Sequence, residues 1–90
     1  IEATKRWDGI WRIVTYDIAE QRKKSRDRFV VRLKELGFYP YQKSMFVFPF
    51  ECKDEIDFMK EHLFLGDSIR YMEAKYIDNE DLLKKKFELR

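Results

Sequence analysis

Two strand-like runs, Phe38–Gln42 and Ser44–Phe50, are separated by one residue, Lys43. So short a link cannot carry a crossover, so the two runs must pair as an antiparallel hairpin. In the second run Met45, Val47 and Pro49 alternate with Phe46, Phe48 and Phe50. A strand that is apolar on both sides has to be covered on both faces. Pro49 falls near the strand end, where a missing N–H is tolerated. The hairpin therefore belongs inside a layered fold.

The flanking segments supply the layers. Residues 10–17 are rich in β-branched and aromatic side chains and read as a first strand, with Ile13, Thr15 and Asp17 on one face and Val14 and Tyr16 on the other. A helix is expected from Glu20 to Leu36, with Phe29, Val30, Leu33 and Leu36 as its buried stripe and Gly37 as its stop. A second helix is expected from Lys53 to Phe64, burying Ile56, Met59 and Leu63 and ended by Gly66. A fourth strand over Ser68–Ile77 and a short helix over Asn79–Phe87, carrying Leu82, Leu83 and Phe87, complete the chain. The order βαββαβ plus a terminal helix is the α+β ferredoxin-like arrangement. The two main helices would cover one sheet face, and a second copy of the chain is the expected cover for the other. That makes a homodimer the expected assembly.

Ninety residues suit one domain with a modest core, spanning residues 1–90. No apolar run approaches the roughly 20 residues of a membrane span, no signal peptide is visible, and a cytoplasmic location is expected. The single cysteine, Cys52, excludes an internal disulfide and, with only His62 beside it, any standard zinc cluster. The chain begins at Ile1, which suggests a piece of a longer protein with a further domain upstream. Its formal net charge of +2 hides a separation. Residues 1–34 hold ten Lys/Arg against five Asp/Glu, and residues 35–90 hold nine against twelve. Such a separation suits an anionic partner approaching from one side, although a well-solvated helix gives the same pattern.

Asp17, at the end of the first strand, is the leading candidate for chemistry. Mg²⁺ prefers oxygen ligands and often takes one or two protein carboxylates, with water and phosphate completing its shell. In a symmetric dimer two Asp17 side chains could share one cation, with Mn²⁺ as a substitute, and the metal would activate an attacking water. The alternative is structural: Asp17 caps the following helix through its backbone N–H groups. The helix itself carries Arg22, Lys23, Lys24, Arg26, Arg28, Arg32 and Lys34. Such a row can track the phosphates of DNA or RNA without reading bases. Ser44 and Gln42 suit a turn better than a phosphate contact. Tyr16, Tyr39 and Tyr41 suit the core or an interface better than base stacking, and Cys52 gives no sign of a thiol enzyme.

The ordered set Tyr16-Asp17-Ile18, a basic helix, Leu36-Gly37-Phe38 and Gln42-Lys43-Ser44-Met45-Phe46 resembles the CRISPR-associated protein 2 family over about residues 10–77. The resemblance implies a ferredoxin-like homodimer that binds nucleic acid and acts as a metal-dependent nuclease or as a scaffold for the integrase subunits of spacer acquisition. It also implies a catalytic, metal-binding role for Asp17 and nucleic-acid contacts from Arg22, Lys23, Lys24, Arg26, Arg28 and Arg32. A second resemblance lies just upstream. Trp7-Asp8-Gly9-Ile10-Trp11-Arg12 is similar to the lead-in of the central domain of phenylacetate-degradation repressors of the PaaX type. Those regulators join an N-terminal winged helix to a domain of the same fold. That resemblance implies a non-catalytic dimerisation module in which Asp17 is a relic.

Overall fold

A computed structural model describes residues 6–90. Four strands and three helices follow in the order β1 (Trp11–Tyr16), α1 (Lys23–Leu36), β2 (Tyr39–Gln42), β3 (Met45–Phe48), α2 (Lys53–His62), β4 (Ile69–Ala74) and α3 (Glu80–Phe87). Single 3₁₀ turns, Glu20–Arg22 and Gly66–Ser68, lead into α1 and β4. The sheet order is β2-β3-β1-β4 and every neighbouring pair is antiparallel. Each of α1 and α2 therefore carries the chain across one intervening strand, which is the ferredoxin-like arrangement.

β1 lies at the centre, with Ile13 opposite Val47 on β3 and Met72 on β4. Its even-numbered residues face the two long helices. Val14 joins Phe29 and Leu33 of α1, Ile56 and Met59 of α2, and Phe46 and Ile69 of the neighbouring strands in the larger core cluster. The odd-numbered residues face the other way, where Trp11, Val47 and Leu83 form a second buried cluster with Trp7, Tyr39, Tyr41 and Phe87 packed against it. A second copy was the expected cover for that face. The chain's own α3, with Trp7, covers much of it. Leu83 and Phe87 do so, while Leu82 points outward and stays exposed.

The two helix stops differ in their chemistry. Gly37 ends α1 as expected, at φ 102°, with its N–H on the Lys34 carbonyl and that of Phe38 on the Leu33 carbonyl. A Cβ here would lie 3.2 Å from the Phe48 ring. α2 instead ends at His62, and the left-handed residue is Phe64 at φ 57°, not Gly66. The Phe64 N–H bonds to the Glu61 carbonyl and that of Leu65 to the Lys60 carbonyl, closing the last turn. A left-handed non-glycine residue costs about 1–2 kcal/mol, and burial of Leu63 and Leu65 on either side offsets it. Among the described residues no helix is long and apolar enough to cross a membrane.

Gly37→Ala should lose about 1–2 kcal/mol of stability from the left-handed backbone alone, and more if the Phe48 ring cannot shift. Urea unfolding monitored by tryptophan fluorescence reads this as a lower midpoint with unchanged slope.

Candidate functional site

Asp17 follows directly on β1. Its backbone N–H donates to the Ser68 carbonyl at 2.9 Å, and the preceding Tyr16 N–H donates to the Ser44 carbonyl at 3.2 Å. The carboxylate itself is exposed and makes no hydrogen bond or ion pair with a described residue. It is not a helix cap. Ala19 precedes the 3₁₀ turn and Arg22 precedes α1, and neither helix start receives a side-chain cap. Among the described residues no group of three or more His, Cys, Asp or Glu side chains could hold a metal. A cation at Asp17 would therefore complete its shell with fewer than two further side chains of these types from the described residues, the rest coming from other oxygens such as water or phosphate, or from a second copy.

The six basic candidates do not form one row. Arg22 and Arg26 share the side of the helix that carries Phe29 and Leu33, at spacings of three and four residues. Arg22 reaches the end of α2, where its Nη2 donates to the Leu63 carbonyl at 3.1 Å. Arg26 pairs with Glu20 at 3.6 Å and Asp27 at 3.4 Å, and Arg32 pairs with Glu35 at 3.2 Å. Lys23, Lys24 and Arg28 are exposed and form no ion pair among the described residues. Lys23 and Lys24 occupy the first turn of α1, which has no acidic residue. The helix dipole is positive there, so these lysines oppose it.

The secondary candidates have structural places. Ser44, at φ 59°, makes the hairpin turn. Tyr16 packs edge-on to Phe29 with ring centres 6.0 Å apart, and the Tyr41 hydroxyl donates to the Asp78 carbonyl at 2.9 Å. Cys52 is buried, and that burial, helped by the charge of Glu51, pushes its thiol up to about 11. It is protonated at neutral pH and unsuited to nucleophilic work.

The Trp-Asp-Gly-x-Trp-Arg segment is a built unit. Gly9, at φ 85°, turns the chain so that Asp8 faces Arg12. The Asp8 carboxylate accepts from Arg12 Nη1 at 3.0 Å and Nη2 at 2.9 Å, a bidentate pair. Arg12 is buried, and its Nη1 also donates to the carbonyls of Ile10 and Pro49, both at 2.9 Å. Its Nε has no hydrogen-bond partner, with a Glu73 oxygen 4.0 Å away. On the opposite face of β1, Trp7 and Trp11 meet with ring centres 4.5 Å apart, and the Trp11 indole N–H donates to Glu80 of α3 at 3.4 Å. The segment thus ties the start of β1 to β3 on one side of the sheet and to α3 on the other.

The model of the PaaX protein central Cas2-like domain matches residues 4–85, lead-in included. The chain belongs to that family. No curated protein and no solved structure matches the chain. In this PaaX-type domain the lead-in that distinguishes it has a physical role, because each of its named residues is used in the fold.

One feature that sequence reasoning passed over is the groove between α1 and α2, of about 500 Å³, with Val31, Phe58, Met59 and Leu63 among its lining residues. Val31 and Phe58 are both exposed. The available signal was phase. Neither residue falls on the buried stripe of its helix, and both are apolar.

Removing Asp8 strands a buried guanidinium, and Asp8→Ala should cost about 2 kcal/mol. The Arg12 guanidinium beside Asp8 holds its carboxyl below the ordinary value of 3.8. The pair's contribution is therefore whole above that value and is lost as pH falls through the lower, folded one. Thermal unfolding between pH 7 and pH 2 should show a smaller acid loss in Asp8→Ala than in the wild type.

Proposed function

We propose that this domain is a non-catalytic association module of a PaaX-type transcriptional regulator. It joins two copies of the chain so that DNA-reading parts elsewhere in the protein act as a pair. The observation that carries this reading is the lead-in: the segment typical of such regulators is locked into the sheet by the Asp8–Arg12 pair and the Trp7–Trp11 contact. The chemistry around Asp17 supports it. An exposed carboxylate that belongs to no cluster of three or more ligating side chains among the described residues is a weak start for a metal site. The arginines support it too, since Arg22, Arg26 and Arg32 are committed to partners within the fold.

The competing reading is a CRISPR-associated protein 2-like nuclease. In it, two Asp17 side chains share Mg²⁺ across a dimer and the basic helix holds RNA or DNA. One observation favours it, the lack of any internal partner for the Asp17 carboxylate. The two readings separate on activity. Labelled single- and double-stranded RNA and DNA, incubated with Mg²⁺ or Mn²⁺, should stay intact with the wild type. Asp17→Ala should match the wild type in fold and in assembly. Metal-dependent cleavage by the wild type that disappears in Asp17→Ala would overturn the proposal.

A further inference from the structure

The groove between α1 and α2 has an apolar centre and two charged ends, and the ends are opposite in sign. The helices run antiparallel. Arg22, just before α1, meets the end of α2 through the Leu63 carbonyl, while Leu36 at the end of α1 lies with Asp54 and Glu55 at the start of α2. Val31 and Phe58 occupy the middle, 55% and 65% exposed. At one end stand Arg28 and, one turn earlier on the same side of α1, Lys24. At the other end stand Asp54 and Glu55. None of these four side chains makes a hydrogen bond or ion pair with a described residue. The other charged side chains lining the groove behave differently: Asp27, beside Arg28, pairs with Arg26, and Arg32 pairs with Glu35.

We infer that this groove is the surface through which two copies of the chain associate, the positive end of each on the negative end of the other, about a two-fold axis that lies in the interface near Val31 and Phe58, perpendicular to the line joining the two ends. The inference rests on the association role proposed above and names its surface. A two-fold interface must be self-complementary, because the same patch meets itself. A patch with a positive end, an apolar centre and a negative end satisfies that condition when one copy is turned end for end. Lys24 and Arg28 of each copy then face Asp54 and Glu55 of the other. The same docking resolves the local conflict at the start of α1, where lysines oppose the helix dipole, because it brings carboxylates to that positive end.

The sheet face is less suited to the task. α3 and Trp7 already cover Trp11 and Val47, and among the described strand residues Met72 is the one large hydrophobic left exposed, with Leu82 exposed on α3 itself. A specific interface needs roughly 800 Å² per partner, more than Val31 and Phe58 supply. The charged ends must therefore be in contact as well, and association should weaken with salt.

The test is a charge swap read by sedimentation equilibrium of the 90-residue chain. Asp54→Lys with Glu55→Lys makes both ends basic, and Lys24→Glu with Arg28→Glu makes both ends acidic. Each double variant alone should dimerise at least about tenfold more weakly than the wild type, with an unchanged circular dichroism spectrum. Mixed in equal amounts, they should form a heterodimer near wild-type strength, since one end contact keeps its native charges and the other is restored with the charges exchanged. That rescue also shows that neither variant has failed to fold. A wild-type dimer whose strength neither double variant alters, or variants that weaken it without rescue on mixing, would overturn the groove as the interface and leave the association role standing. A monomeric wild type at every concentration would overturn both, leaving the groove to a different partner.

Discussion

β1 and β3 are central strands with apolar side chains on both faces, and the rest of the chain is arranged to keep both faces from water. On one side α1 and α2 bring Phe29, Leu33, Ile56 and Met59 onto Val14 and Phe46. On the other side α3 brings Leu83 and Phe87 onto Trp11 and Val47. The two sides are tied together at the start of β1. There Arg12 is buried toward one face with Asp8 as its counter-ion, while Trp11 is buried toward the other and bonds to Glu80. A buried guanidinium is costly unless its donors are satisfied. Asp8 and the Ile10 and Pro49 carbonyls meet most of that demand.

This arrangement decides what is left for function. Closing the second sheet face from within removes the strongest reason for a subunit to dock there. The large apolar side chains left exposed among the described residues divide between the layer of α1 and α2, at Val31, Phe58 and Phe64, and the β4–α3 region, at Met72, Tyr76 and Leu82. Asp17 lies outside both core clusters and in no group of three or more ligating side chains among the described residues. The fold thus keeps a Cas2-like framework, while the Asp17 carboxylate makes no hydrogen bond or ion pair with a described residue.

Much of this was legible in the sequence. The one-residue link at Lys43 forced a hairpin, the alternation from Met45 to Phe50 forced two covered faces, and the 3.6-residue stripe Phe29, Leu33, Leu36 placed α1. Gly37 marked its own left-handed turn. Phe64 could not be read the same way, because its turn is held by the burial of Leu65, a tertiary fact, and not by backbone freedom. That α3 itself covers much of the second sheet face was not legible, because Leu83 and Phe87 are too few to announce their partner from spacing alone. The basic helix looked like a row because periodicity records which residues share a side. It does not record that the side of Arg22 and Arg26 faces the core, or that Glu20, Asp27 and the Leu63 carbonyl wait there.

The association role requires that two copies of the chain pair without help from a metal. Sedimentation equilibrium of the wild-type chain, with and without millimolar Mg²⁺ and across a wide concentration range, tests this most directly. The association account predicts a species of twice the chain's 11.2 kDa, equally stable with Mg²⁺ and with a chelator. A chain that remains monomeric, or that pairs only when Mg²⁺ is present, would contradict it.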